Sequence, residues 1–261
     1  MVRVTTTDRR TALRAGAGLV AGGALAAGCA TTGPAAPPDA PARTPAAKAT
    51  PLTAPAPRAF PRQPAQITHG PRDRPRIALT FHGQGDPKIA TALLTEAEKH
   101  GAHVTVLAVG TWLDTHPEMA RRILDGGHDL GNHTQRHIAV NTLSEADALA
   151  EITGCADRLK RLTGSIGTWF RPSRAPAASP LVERLAHRVG YPHVLSYDVD
   201  SLDFTEPGAP AITRKVLAEV RNGSVVSMHF GYAGTVAALP AVLEELDRRG
   251  LRAVTTTELL S

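Results

Sequence analysis

The chain has 261 residues, more than one average domain and fewer than two. Hydrophobic residues make up 42% and charged residues 20%, enough to build a core and incompatible with a disordered or collagen-like chain. Aromatics are only 4%, so Leu, Val, Ile and Ala must fill that core. Two cysteines exclude a disulfide scaffold or a four-cysteine zinc module, and no apolar run reaches the roughly 18–20 residues of a membrane span. The net charge of +5 does not indicate nucleic-acid binding, because residues 1–66 hold 8 Lys+Arg against 2 Asp+Glu and the remainder is close to neutral. All 11 histidines lie after residue 66.

The elements fall in three parts. Residues 1–29 read as an export signal. Arg9 and Arg10 resemble a twin-arginine pair, and a Gly/Ala-rich stretch from Ala15 to Ala27 ends in Leu25-Ala26-Ala27-Gly28-Cys29, similar to a lipobox. A lipid on Cys29 would hold the protein on the outer face of the cell membrane; a cleaved secretory signal is the other reading. Residues 30–66 are rich in Ala, Pro and Thr, with ten of the 21 prolines, and read as an extended spacer. Residues 67–261 read as the folded domain, expected to be a monomer.

In that domain the pattern alternates. Strands are expected at Arg76–Phe81, His103–Val109, His128–Asn132, Thr168–Arg171, Val194–Tyr197, Ser224–His229 and Arg252–Thr255. Helices are expected at Lys88–His100, Pro117–Leu124, Ser144–Leu162, Pro180–Val189, Ala209–Arg221 and Val236–Arg249. About seven βα units without a dinucleotide glycine fingerprint predict an α/β fold, a closed or distorted (β/α) barrel whose site lies at the C-terminal ends of the strands.

The chemistry-bearing residues cluster after those strands. Phe81-His82-Gly83-Gln84-Gly85-Asp86 follows the first, Asn132-His133-Thr134-Gln135-Arg136-His137 the third, Phe170-Arg171-Pro172 the fourth, Asp198, Asp200 and Asp203 the fifth, and Met228-His229 ends the sixth. His133 and His137, four apart, would face the same way on a helical turn and suit zinc. Cys155 falls inside a helix and reads as a buried thiol.

These segments, in this order, resemble the polysaccharide deacetylases (NodB homology, carbohydrate esterase family 4). His133-Thr134-Gln135-Arg136-His137 is similar to that family's H-S/T-x-x-H motif, Phe170-Arg171-Pro172 to R-x-P, Asp200-Ser201-Leu202-Asp203-Phe204 to D-x-x-D-W, and Ser227-Met228-His229 to L-x-H. The resemblance implies a distorted (β/α) barrel and metal-dependent removal of acetyl groups from an acetylated polysaccharide, by attack of a metal-activated water. By matching position, His133 and His137 would ligate a divalent metal, with zinc the expected ion. Arg171 would hold the carboxylate base, His229 would act as general acid, and Asp200 would hydrogen-bond His229 and hold it ready to donate.

The first motif departs from the family's T-F-D-D-G: after Thr80-Phe81 come His82 and Gly83 where the aspartates would be. His82 is expected to become the third metal ligand. Asp86, on the Gly83-Gln84-Gly85 loop, is expected to become the base paired with Arg171; the reverse assignment stays open. Asp86-Pro87 is equally a common helix start. Three functions follow: an N-deacetylase acting on a cell-wall or extracellular glycan, an O-acetyl esterase of the xylan type, or a non-catalytic glycan- or metal-binding lipoprotein.

Overall fold

The computed structural model describes residues 53–261. The expectations for the export signal, Arg9, Arg10 and Cys29 lie outside the described residues. In chain order the elements are β1 (Gln66–Ile67), β2 (Arg76–Gly83), α1 (Pro87–Lys99), β3 (Thr105–Ala108), α2 (Gly110–Thr115), α3 (Glu118–Asp125), β4 (Asp129–Asn132), α4 (Glu145–Thr163), α5 (Pro180–Val189), β5 (Val194–Leu195), β6 (Val199–Asp200), α6 (Ala209–Glu219), β7 (Val225–His229), α7 (Ala233–Arg248), β8 (Arg252–Ala253) and α8 (Thr256–Leu259). None of the described helices is long and apolar enough to cross a membrane.

β2 is the centre of the sheet. Seven of its eight residues are buried, because helices cover both faces of a parallel sheet and leave no polar side to alternate with. It pairs in parallel with β3 and β7, and its first residues also pair with β8. The order β4-β3-β2-β7-β6 continues from β4 through single parallel bridges, Asn132–Phe170 and Phe170–Val194, to the β1–β5 pair. Between that pair and β7 the described residues form no ladder, only the antiparallel bridge His69–Ser224. The result is a parallel α/β ring with one weak seam, the distorted form of the barrel the periodicity predicts.

Local signals explain the helices. Ser144 caps α4 by accepting from the Asp147 amide, and Gly164 ends it in the left-handed conformation that costs glycine nothing. Ser179 with Pro180 starts α5 in the same way. Cys155 is buried in α4, where burial pushes its thiol up to about 12, so it is inert.

The expected strand Thr168–Arg171 is reduced to one residue of bridging, and Val194–Tyr197 to two residues. The spacer boundary also moves. Residues 53–66 lie against the folded domain: Ala54 and Phe60 are buried, Phe60 stacks on Trp169 (centroids 5.6 Å), and the Phe60 amide donates to His193 Nε2 (2.9 Å). Ser165 Oγ donates to Pro55 O (3.0 Å), and Gln66 begins β1. An Ala/Pro-rich segment can therefore pack as a strap when it carries one aromatic anchor.

Candidate active site and metal centre

β2 and β7 end together, and the register sets His82 beside His229. Parallel partners share a face, so these two imidazoles point to the same side, with ring centroids 4.3 Å apart. One layer below, the register aligns Thr80, Ser227 and Asp200. At the end of β4 the chain leaves the sheet, and His133 follows immediately.

His133 and His137 do meet, with centroids 4.9 Å apart, but not on a helical turn as their spacing suggested. The segment is a loop in which Thr134 (φ 67°) and His137 (φ 56°) adopt left-handed backbone. Such strain persists only where the surroundings over-determine it. Here Asn132 Oδ1 accepts from the Thr134 amide (2.8 Å), Thr134 Oγ1 donates to Ser173 Oγ (2.9 Å), and buried Glu151 takes both the Arg136 amide (2.8 Å) and its Nε (2.6 Å).

His82, His133 and His137 bring donor atoms within 4.8 Å of one another. His133 is fully buried and its Nδ1 faces Arg171 O at 3.0 Å, a contact that leaves Nε2 turned towards the other two rings. Both His82 Nε2 and His133 Nε2 are buried without a hydrogen-bond partner. Burial holds His82 and His133 well below the usual histidine pKa, the neighbouring imidazoles adding to it, and it lowers His137 to about 4 with help from Arg174. Three neutral, convergent imidazoles, two of them with an orphaned ring nitrogen, fit a divalent transition metal such as zinc.

Arg171 is fully buried, and burial lowers it to about 10, still a cation at neutral pH. It pairs with no carboxylate as its nearest hydrogen-bond partner: Nε donates to Leu195 O (3.1 Å), one terminal nitrogen to Ser196 O (2.9 Å), and the other has no partner. Position 82, at the end of β2, is a histidine and supplies no carboxylate to this nitrogen.

Two sequence expectations are overturned by the geometry. Asp86 does not reach the site as a base or ligand. It is exposed, and its carboxylate caps α1 by accepting from the Lys88 amide (2.8 Å). The loop before it is not free to swing: Gly85 (φ 100°) gives its carbonyl to Trp112 Nε1 (2.8 Å), and a Cβ there would lie 2.7 Å from Gly231 Cα. Nor does Asp200 hold His229. That role falls to Asp203, fully buried, whose Oδ1 takes His229 Nδ1 (2.7 Å) and whose Oδ2 takes the His229 amide (2.8 Å) and Thr235 Oγ1 (2.7 Å). Asp200 accepts from the Leu202 amide (3.1 Å) in a turn that lets Asp203 reach inwards.

The cavity above these groups has a volume of ≈ 910 Å³. His82, His137, His229 and Asp200 line it, with Tyr197, Phe204 and Tyr232 as aromatic walls and Arg136 and Arg174 at its edge. Phe204 is one of two large hydrophobic residues exposed among those described, and its ring lies 5.4 Å from His229. Sequence reasoning missed Tyr197, Tyr232 and Arg174; no motif marks them.

Residues 69–194 match the sequence profile of the Polysaccharide deacetylase family. This stretch resembles a polysaccharide deacetylase domain. A peptidoglycan-N-acetylglucosamine deacetylase of Bacillus cereus is 29% identical over 194 residues, which cover 73% of this chain and 90% of that protein. The peptidoglycan-N-acetylglucosamine deacetylase PgdA of Listeria monocytogenes is 28% identical over 184 residues, 70% of this chain but only 38% of its own length. Among solved structures, a peptidoglycan N-acetylglucosamine deacetylase superposes with TM-score 0.70 at 26% identity, covering 75% of this chain and 92% of that one. A CE4 family pseudoenzyme of Bacillus anthracis superposes with TM-score 0.72 at 23% identity over 76% and 70% of the two chains, a likeness of fold.

Proposed function

We propose that the protein is an exported, metal-dependent deacetylase of a cell-wall polysaccharide, tethered through a lipid on Cys29 and the spacer that follows it. The observation that carries this reading is the meeting of three neutral imidazoles, His82, His133 and His137, beside the Asp203–His229 pair, with His82, His137 and His229 facing one open pocket. A divalent metal held there supplies Lewis acidity to the acetyl carbonyl and to an attacking water.

The chain's own residues supply the rest. Asp203 fixes the His229 ring through Nδ1, so Nε2 is the nitrogen left to exchange a proton with a bound substrate. With no aspartate at position 82 and Asp86 engaged as a helix cap, His229 carries both proton transfers: it takes one from the water and returns it to the departing amine. Asp203 balances the transient imidazolium. Phe204 and Tyr232 flank His229, while Tyr197 packs against buried Arg171.

A second reading, a glycan- or metal-binding protein without turnover, is favoured by the same missing carboxylates and by the unpartnered Arg171 nitrogen. Metal content and acetate release from peptidoglycan, chitin oligomers and acetyl-xylan, measured together, separate the two. One bound divalent ion with acetate from an N-acetylated glycan supports the deacetylase; one bound ion with no acetate from any of the three supports the binding protein. Acetate from acetyl-xylan alone would assign an O-acetyl esterase. The anchor is tested separately: Cys29→Ala should move the protein from the membrane fraction to soluble material.

A further inference from the structure

The three imidazoles are not held alike. His82 lies in β2 and takes its place from the sheet register. His133 is fully buried, and its ring is fixed by the Nδ1 contact to Arg171 O (3.0 Å). His137 has neither support. It is half-buried in a loop, and its ring makes no hydrogen bond among the described residues. A histidine that binds a metal is normally oriented by a hydrogen bond from its second ring nitrogen. Without one, the backbone around it must set the ring.

That backbone is held from α4. Glu151 lies fifteen residues along the chain from Arg136. Its carbonyl accepts from the Gln135 amide (2.9 Å), its Oε2 from the Arg136 amide (2.8 Å) and its Oε1 from Arg136 Nε (2.6 Å). One residue thus grips both positions that precede His137. The next residue of α4 grips the other end of the loop: Ile152 O accepts from Asn132 Nδ2 (2.9 Å). His137 itself is kept at φ 56°, a conformation that costs energy outside glycine unless the surroundings impose it.

The choice of a carboxylate is informative. Glu151 is only 2% exposed, and burying a carboxylate is costly unless it is paired and hydrogen-bonded. A neutral acceptor would satisfy one amide. Two acceptor oxygens hold the main chain and the side chain of Arg136 together. Glu151 neither lines the pocket nor belongs to the cluster of convergent donors.

We propose that Glu151 is a positioning residue for the metal centre: through the Arg136 amide it sets the ring of His137, and with it the affinity for the divalent ion. The inference rests on reading His82, His133 and His137 as metal ligands. A loop already ordered by Glu151 has lost the freedom that metal binding would otherwise have to remove.

The test is the zinc Kd of the full-length protein, measured by competition with a chelator at a temperature where circular dichroism shows each variant folded. Glu151→Ala is expected to weaken zinc binding by about 10–100-fold, the usual scale for a group that orients a metal ligand. Glu151→Gln keeps an acceptor oxygen within reach of the Arg136 amide and should lose less than about fivefold. Glu151→Asp keeps the charge but withdraws it by one methylene, and should fall with Glu151→Ala. The ranking of Gln above Asp marks positioning by geometry; an effect of charge alone gives the reverse order. It is readable even where Glu151→Ala does not fold. Asp129→Asn, at another buried acid at the far end of the strands, is the reference for lost stability: its Tm should fall while its zinc affinity stays within about twofold of wild type. Unchanged affinity in Glu151→Ala and Glu151→Asp, Asp ranking above Gln, or an equal loss in Asp129→Asn overturns the proposal. Zinc that depends on His133 but not on Glu151 removes this inference alone. Wild type that binds no zinc, or whose zinc survives His133→Ala, removes the metal-site reading and this inference with it.

Discussion

The two ends of the barrel both bury charge-bearing groups, and they treat them in opposite ways. At the N-terminal ends of the strands, Asp129 Oδ2 accepts from Trp169 Nε1 (3.2 Å), the Thr257 amide (3.0 Å) and Thr257 Oγ1 (2.7 Å). His128 uses both ring nitrogens, one towards the Val104 amide (3.1 Å) and one towards Glu98 (3.2 Å). At the C-terminal ends, His82 Nε2, His133 Nε2 and one terminal nitrogen of Arg171 have nothing. An orphaned buried polar atom costs about 1–3 kcal/mol, so three within one site are kept only where a ligand repays them. The first cluster holds the fold together; the second is held by it.

The sharpest way to break this contrast is to remove a nitrogen from the open cluster. His133→Ala should lower zinc affinity by at least about 100-fold, read by competition with a chelator, because it takes away one of only three ligands. The metal-free protein should lose stability as well, because the fully buried ring also carries the Nδ1 contact to Arg171 O (3.0 Å). Next comes the proton-handling pair. Asp203→Asn should cut acetate release by about 100-fold or more with zinc content unchanged, whereas Asp200→Asn should retain most turnover; equal losses in both would return Asp200 to the role the motif first suggested.

The closed cluster gives a pH signature. Burial lowers His128 to about 4, Glu98 opposing it. Between about pH 6.5 and 4 the unfolded chain takes up a proton here that the folded chain refuses, so stability is full above that window and falls as pH drops through it. The loss is on the order of 3 kcal/mol at most, as burial takes His128 from an ordinary histidine value down to about 4. Wild type minus His128→Gln, followed by denaturant unfolding at each pH, should shrink across that window. The smallest effect is expected at Asp86→Ala: about 1 kcal/mol of stability from the lost cap of α1, and turnover within about twofold of wild type. A large loss of turnover there would restore the loop before α1 to the catalytic machinery.

Long periodic helices with polar starts and glycine stops were legible residue by residue: Ser144 and Gly164 bracket α4, and Pro180–Val189 is found as expected. So were five motifs in order, because register, not propensity, brings their strand ends together. α2 was not legible, since it follows Val109 without a side-chain cap and is only six residues long. β1 and β6 are two-residue strands whose pairing depends on partners far along the chain. Within the site, His82, His133 and His137 converge as read, but the choice between Asp200 and Asp203 turned on Leu202, whose left-handed backbone (φ 54°) turns the second aspartate inwards. Nothing in a D-x-x-D spacing announces that. Asp86 carried two meanings, cap and base, and Gly85 against Gly231 decided for the cap. Gly83 sets a similar limit: a Cβ there would lie 2.9 Å from Val106 Cγ1 and 3.0 Å from Ala108 Cα, so an aspartate at that position must displace the neighbouring strand.

The strap of residues 53–66 gives the domain a mechanical polarity. Thr53 and Pro55 lie with His103, His128 and Asp129 at the end of the barrel away from the pocket. A pull applied at Thr53 meets, in series, the Ala54–Thr163 hydrogen bond (3.3 Å), the Pro55–Ser165 hydrogen bond and the Phe60–Trp169 stack. Trp169 Nε1 in turn donates to Asp129 at the start of β4 (3.2 Å), which joins the strap to the lower end of the sheet. Tension on the N-terminal side is therefore absorbed below the sheet, and the distances among His82, His133 and His137 stay set by the strand ends above it.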